Sequence, residues 1–81
     1  MDLIWTGRMV GTFYGYAPGR TYELSDGSKW KQDCTTDEPV YSEGPDVQLL
    51  TKRGSGVIYL AVEDATSMAR VSLVASPVKS R

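Results

Sequence analysis

Polar and apolar residues alternate along most of this chain with a period of two, the spacing of strands whose successive side chains point to opposite faces. Clusters of Gly, Pro, Ser and Asp interrupt the alternation every ~8 to 12 residues, as in a small barrel or sandwich. No window of about ten residues carries the i, i+3, i+4 recurrence of an amphipathic helix. The pattern predicts strands over residues 8–16, 20–24, 28–32, 47–52, 57–63 and 68–75. They make one all-β domain over residues 1–75, followed by a flexible tail at 76–81.

Two stretches can be read in more detail. In residues 8–16, Met9, Gly11, Phe13 and Gly15 share one face and Val10, Thr12, Tyr14 and Tyr16 the other. Two glycines inside a strand mark strong coiling or a close backbone approach. Ala17-Pro18-Gly19 then fits a type II turn. The following hairpin has two registers. A two-residue Asp26-Gly27 turn sets Trp30 opposite Glu23, which buries charge. A three-residue loop, Ser25-Asp26-Gly27, with Gly27 as a left-handed bulge sets Tyr22 opposite Trp30. The second keeps Tyr22, Leu24 and Trp30 on one face and Glu23, Lys29 and Lys31 on the other, so it is the one predicted. The inward positions of all strands give a core of Met9, Phe13, Tyr22, Leu24, Trp30, Val47, Leu49, Ile58, Leu60, Val62, Val71 and Leu73.

The first half of the chain resembles a family of short uncharacterised bacterial proteins. The residues that carry the likeness are Gly11-Thr12-Phe13-Tyr14-Gly15-Tyr16, Tyr22-Glu23-Leu24, Asp26-Gly27, Trp30-Lys31-Gln32 and Pro45-Asp46-Val47-Gln48-Leu49. They match a pattern of Gly-x-Phe-x-Gly-aromatic, aromatic-x-Leu-x-(Asn/Asp)-Gly-x-x-Trp-x-Gln and a later Pro-x-Val strand. The resemblance spans residues 8–74 and implies a small SH3-like β-barrel of five or six antiparallel strands. It implies no activity. In that family the middle loop carries tyrosines before the proline; here it carries Asp37, Glu38 and the single Tyr41.

Composition narrows the chemistry. Eighty-one residues make one small domain. There is no His, no Asn, and one cysteine, Cys34. That excludes a disulfide framework, a Cys/His zinc site, a His-based triad and an N-glycosylation sequon. The unpaired thiol fits a reducing compartment, and no signal segment or membrane span is visible, so the expected location is the bacterial cytoplasm. Without His, acid–base work falls to carboxylates, Lys or Tyr. Asp37 and Glu38 are adjacent and point apart in an extended loop, and Asp33 beside Cys34 disfavours a thiolate. The acidic residues of the middle loop match no calcium loop, and Gly54-Ser55-Gly56 completes no phosphate cradle. No catalytic residue, metal site or cofactor is assigned, and the chain is read as a non-enzyme.

Charge is unevenly spread. The net charge is −1. Residues 33–46 hold Asp33, Asp37, Glu38, Glu43 and Asp46 and no basic residue, so the remainder, with nine basic and five acidic residues, is at +4. The expected function is a binding or assembly module that recognises a protein or peptide, itself included as a homo-oligomer through a free edge strand. Its expected site is Tyr14, Tyr16 and Tyr41 beside Asp37, Glu38 and Glu43, since aromatic grooves take proline-rich segments and carboxylates take Arg and Lys. The rival is single-stranded nucleic acid on a basic-aromatic barrel face formed by Arg8, Lys29, Lys31 and Tyr59.

Overall fold

The computed structural model describes residues 1–76, all strand, turn and loop. Its eight strands are β1 (Asp2–Arg8), β2 (Thr12–Phe13), β3 (Thr21–Glu23), β4 (Lys29–Gln32), β5 (Ser42–Glu43), β6 (Asp46–Thr51), β7 (Ile58–Val62) and β8 (Met68–Ala75). Six of them form one antiparallel sheet in the order β1-β6-β7-β8-β4-β3. β2 and β5 form a separate two-stranded ribbon. The all-β class and the antiparallel sheet are as the pattern predicts, and five of its six strands, all but β1, fall on predicted strands. Of the predicted tail, residues 77–81 lie outside the described residues. Among the described residues no helix is long and apolar enough to cross a membrane.

The sheet is not closed into a barrel. Its two edge strands, β1 and β3, meet only just beyond their ends, at a single bridge between Met9 and Leu24. There Val10 N–H donates to Glu23 O at 2.8 Å and Ser25 N–H to Arg8 O at 2.7 Å. Beyond that junction no ladder joins β3 to what precedes it, and the ribbon β2–β5 stands in the gap.

The predicted strand over 8–16 is broken in two. Gly11 and Gly15 both sit in the left-handed region, at φ 80° and 106°, where the extended run ends and the side-chain alternation resets. The hairpin register is as read from the sequence. Tyr22 pairs with Trp30, Leu24 N–H donates to Ser28 O at 2.9 Å, and Gly27 is left-handed at φ 88°. Strand β1 was not in the sequence pattern, because nearly every residue of it is exposed.

One core fills the concave side. It contains Met9, Phe13, Tyr22, Leu24, Trp30, Val47, Leu49, Leu60, Val62 and Val71 as predicted, together with Tyr16 and Ala69. Ile58 is only partly buried against it. Leu73 is 50% exposed, contrary to prediction. It pairs with Trp30 on β4, but β7 begins at Ile58, opposite Val71, so among the described residues no strand pairs with β8 on its other side beyond that point. Buried polar side-chain atoms are all paired among the described residues. Gln32 is 1% exposed, and its amide donates to Thr36 O at 2.6 Å while its Oε1 accepts from Tyr22 Oη at 2.8 Å.

Candidate functional site

The ribbon β2–β5 carries the most exposed aromatic residues of the fold. Thr12 lies opposite Glu43 and Phe13 opposite Ser42, so the same register carried outward sets Tyr14 opposite Tyr41. Phe13 points into the core at 1% exposure and fixes the ribbon there. Its neighbours alternate outward. Tyr14 and Tyr41 are 64% and 69% exposed and meet edge to face, with ring centroids 5.8 Å apart at 67°. The exposed Glu43 stands one alternation along the ribbon from Tyr41.

Gly15 is the hinge of this arrangement. A Cβ there would fall 2.2 Å from Glu38 O and 2.8 Å from the Pro39 Cα, so only glycine lets the two chains of the ribbon approach. Immediately after it Tyr16 and Glu38 exchange both backbone hydrogen bonds, at 2.9 and 3.1 Å. Tyr16 is not part of an exposed patch, against the sequence expectation. It is 1% exposed, donates its hydroxyl to Leu60 O and accepts from Val62 N–H, both at 3.1 Å. Burial pushes its pKa up to about 12. The left-handed Gly15 shifts the alternation by one, which turns Tyr16 to the same side as Phe13.

The acidic loop is largely spent on the fold. The Glu38 carboxylate accepts from Thr66 N–H at 2.9 Å, Thr66 Oγ1 at 3.0 Å and Ser67 N–H at 3.0 Å, and the Thr66 N–H bond leads in holding its pKa below the ordinary value. It clasps the β7–β8 connection and is not an open ligand for a partner, a correction to the expected site. Asp33 takes a hydrogen bond from Ser72 Oγ and one from Arg70 Nε at 2.7 Å, in that order of effect, which hold it below its ordinary value. Asp46 pairs with Arg8 at 3.8 Å. Of the sequence-predicted carboxylates, Glu43 flanks the tyrosine pair; Asp37 is exposed elsewhere in the loop.

Cys34 is half-buried next to these groups. Burial pushes its thiol up, but hydrogen bonding with Thr36 and the nearby Arg70 outweigh burial and set it below the ordinary value. The expectation that Asp33 would disfavour a thiolate does not hold, because that carboxylate is paired with Arg70, which itself lowers the thiol. No cluster of three or more potential metal-ligating side chains occurs among the described residues.

The structure does not assemble the basic face. Arg8 donates to Gly44 O at 3.0 Å and faces Asp46. Lys29 lies opposite Glu23, and Lys31 lies between Thr21 and Ser72. Tyr59 is half-buried between Leu50 and Arg70, whose charge Asp33 already holds. Lys29 and Lys31 share one face of β4, while the charges of Arg8 and of Arg70 beside Tyr59 are each paired with a carboxylate.

Two hollows bear on the choice of site. The larger, about 500 Å³, lies over Thr6, Gln48 and Ala61, consecutive positions of one cross-strand row, where the small Ala61 side chain leaves a dip in the sheet. It holds no aromatic residue. The smaller, about 260 Å³, lies between Thr12 and Tyr14 on one side and Thr21 and Glu23 on the other. It adjoins the tyrosine pair, and sequence reasoning missed it because it arises from two strands that fail to join. Comparison with protein-family models, with curated proteins and with solved structures finds no match for this chain.

Proposed function

We propose that this protein is a non-enzymatic binding module, an SH3-like fold with an incompletely joined wall, and that it recognises a protein or peptide through Tyr14 and Tyr41. The observation that carries this reading is the outward tyrosine pair on a ribbon locked to the core. Large aromatic rings left in water are costly to expose without use, and rigid ones are good anchors because little conformational freedom is lost when they bind. The two rings, held edge to face, offer flat surfaces to a proline ring or a guanidinium, and Glu43 adds one carboxylate. The nucleic-acid reading has less support, since Arg8, Lys29, Lys31 and Tyr59 form no continuous basic groove.

The test is an array of short proline- and arginine-containing peptides, set beside acidic peptides and a short oligothymidine. The reading expects retention of the basic or proline-containing peptides, and its loss in Tyr14→Ala and Tyr41→Ala. Retention that both variants leave unchanged, or salt-sensitive retention of oligothymidine alone, overturns it.

A further inference from the structure

Two strand edges face each other across the smaller hollow, and they are not paired with each other. Arg20 and Leu24 turn their main-chain groups toward β4, because Gln32 N–H donates to Arg20 O at 2.8 Å and Leu24 N–H to Ser28 O. By the alternation of an antiparallel ladder, Thr21 and Glu23 turn theirs the other way. Glu23 O is taken by Val10 N–H, which closes one end of the hollow. On the ribbon, Gly44 N–H donates to Gly11 O at 2.8 Å, so Gly11 and Phe13 face β5 while Thr12 and Tyr14 face the hollow. No backbone hydrogen bond joins β2 to β3 among the described residues. The far end is spanned by Arg20, whose guanidinium donates to Gly15 O at 2.8 Å. The floor is formed by Phe13 and Tyr22, both buried.

We infer that this slot is a strand-docking site: an extended, basic peptide adds its main chain to the edge of β3 and sets an Arg or Lys side chain against Tyr14 and Tyr41. The inference rests on the tyrosine pair being the binding site and names the form and charge of what binds there. Three features of the slot select the occupant. Unpaired N–H and C=O groups at alternate residues match the repeat of an extended backbone and little else. The volume, about 260 Å³, is below the range of ~300–1,000 Å³ in which small-molecule sites fall. Glu23 on the rim enters no ion pair among the described residues, so a cation beside it is favoured. The other free edge of the sheet, β1, is poorly suited, because a bulge between Leu3 and Trp5 interrupts the regular spacing a docked strand needs.

The experiment selects peptides from a random phage-displayed library on the intact protein, then measures the enriched peptides by titration. Three changes are compared: Thr21→Pro, which deletes one outward N–H from an edge strand, Tyr14→Ala, and N-methylation of each peptide amide in turn. The inference expects enriched peptides rich in Arg or Lys, a tenfold or greater loss of affinity with Thr21→Pro, and losses of that size at every second peptide amide. The N-methyl series leaves the protein untouched, so it decides the matter even if Thr21→Pro misfolds. Affinity that falls with Tyr14→Ala but shows no period of two in the N-methyl series overturns strand docking and leaves the tyrosine site standing. Period-two losses with no effect of Tyr14→Ala keep strand docking at the edge and overturn the tyrosine site. No enrichment, or enrichment of acidic peptides, overturns the inference.

Discussion

Tyr14 and Tyr16 are two residues apart and each belongs to a T-shaped tyrosine pair, yet the pairs do opposite things. Tyr16 and Tyr22 lie with centroids 6.4 Å apart at 83°, with Phe13 5.3 Å from Tyr16. Every hydroxyl there is bonded to the fold: Tyr16 to Leu60 and Val62, Tyr22 to Gln32 and Gly15. Tyr14 and Tyr41 keep similar ring geometry at 5.8 Å but stand in water. What separates them is Gly15. Its left-handed backbone sends the chain's next aromatic inward, so one short ribbon carries a stabilising pair and an exposed one. The lesson is that ring geometry alone does not tell a core cluster from a binding surface; the fate of the hydroxyls and of the backbone between them does.

The contrast breaks first at Gly15. Gly15→Ala combines a strained left-handed alanine with a Cβ driven into Glu38 O. Strain and overpacking each cost roughly 1–3 kcal/mol, so a combined loss of about 2–6 kcal/mol is expected, read from the urea midpoint. A loss under about 1 kcal/mol would show that the ribbon does not depend on this close approach. Tyr16→Phe comes next. It keeps the ring but leaves Val62 N–H without its partner and takes one donor from Leu60 O, at a cost of roughly 1–3 kcal/mol. The same group sets an alkaline limit. Its folded pKa is raised from 10.0 to about 12, so the unfolded state releases its proton first and stability falls as pH rises through that interval. Tyr16→Phe should flatten that fall.

Much of the core side of this contrast was legible in the sequence, and its exposed side was half legible. The register of Tyr22 against Trp30 could be read because a one-residue slip buries Glu23, Lys29 and Lys31. Tyr41 reads only as a loop aromatic, and the outward Tyr14 followed from alternation on a glycine-punctuated strand. Tyr16 was misplaced for the same reason, since period-two counting runs straight through Gly15, whose left-handed φ breaks the count. Glu38 reads as a loop acid, and only the fold brings Thr66 and Ser67, about 28 residues away, to its carboxylate. The slot between β2 and β3 is a failure of two strands to pair, and no local pattern encodes that.

Acid tests whether the middle loop belongs to the fold or to the binding surface. Asp33 and Glu38 are held below their ordinary values of 3.8 and 4.5. A depressed folded pKa means the unfolded chain takes up protons first, so their stabilisation is complete above those ordinary values and is lost as pH falls through the folded ones. Glu38→Gln and Asp33→Asn should each lower the melting temperature at neutral pH and narrow the gap to wild type in acid. A gap that stays constant with pH would mean the carboxylate charges contribute nothing, and would return Glu38 to the list of residues available to a partner.

The smallest expected effect on stability comes from the exposed pair, and there the contrast is sharpest. Tyr14→Ala and Tyr41→Ala remove rings that are mostly solvated, with only their mutual edge contact to lose, so each should cost below about 1 kcal/mol. Their hydroxyls have no protein partner among the described hydrogen bonds, so Tyr14→Phe and Tyr41→Phe should be nearly silent, where Tyr16→Phe is not. The pair is coupled, so the double alanine variant should cost less than the sum of the singles by the energy of the ring contact, ~0.5–1.5 kcal/mol at most. A double-mutant cycle in urea measures this directly. If Tyr14→Ala destabilises as much as Tyr16→Phe, the outer pair is a structural clamp on the ribbon, and the case for a binding surface there loses its footing.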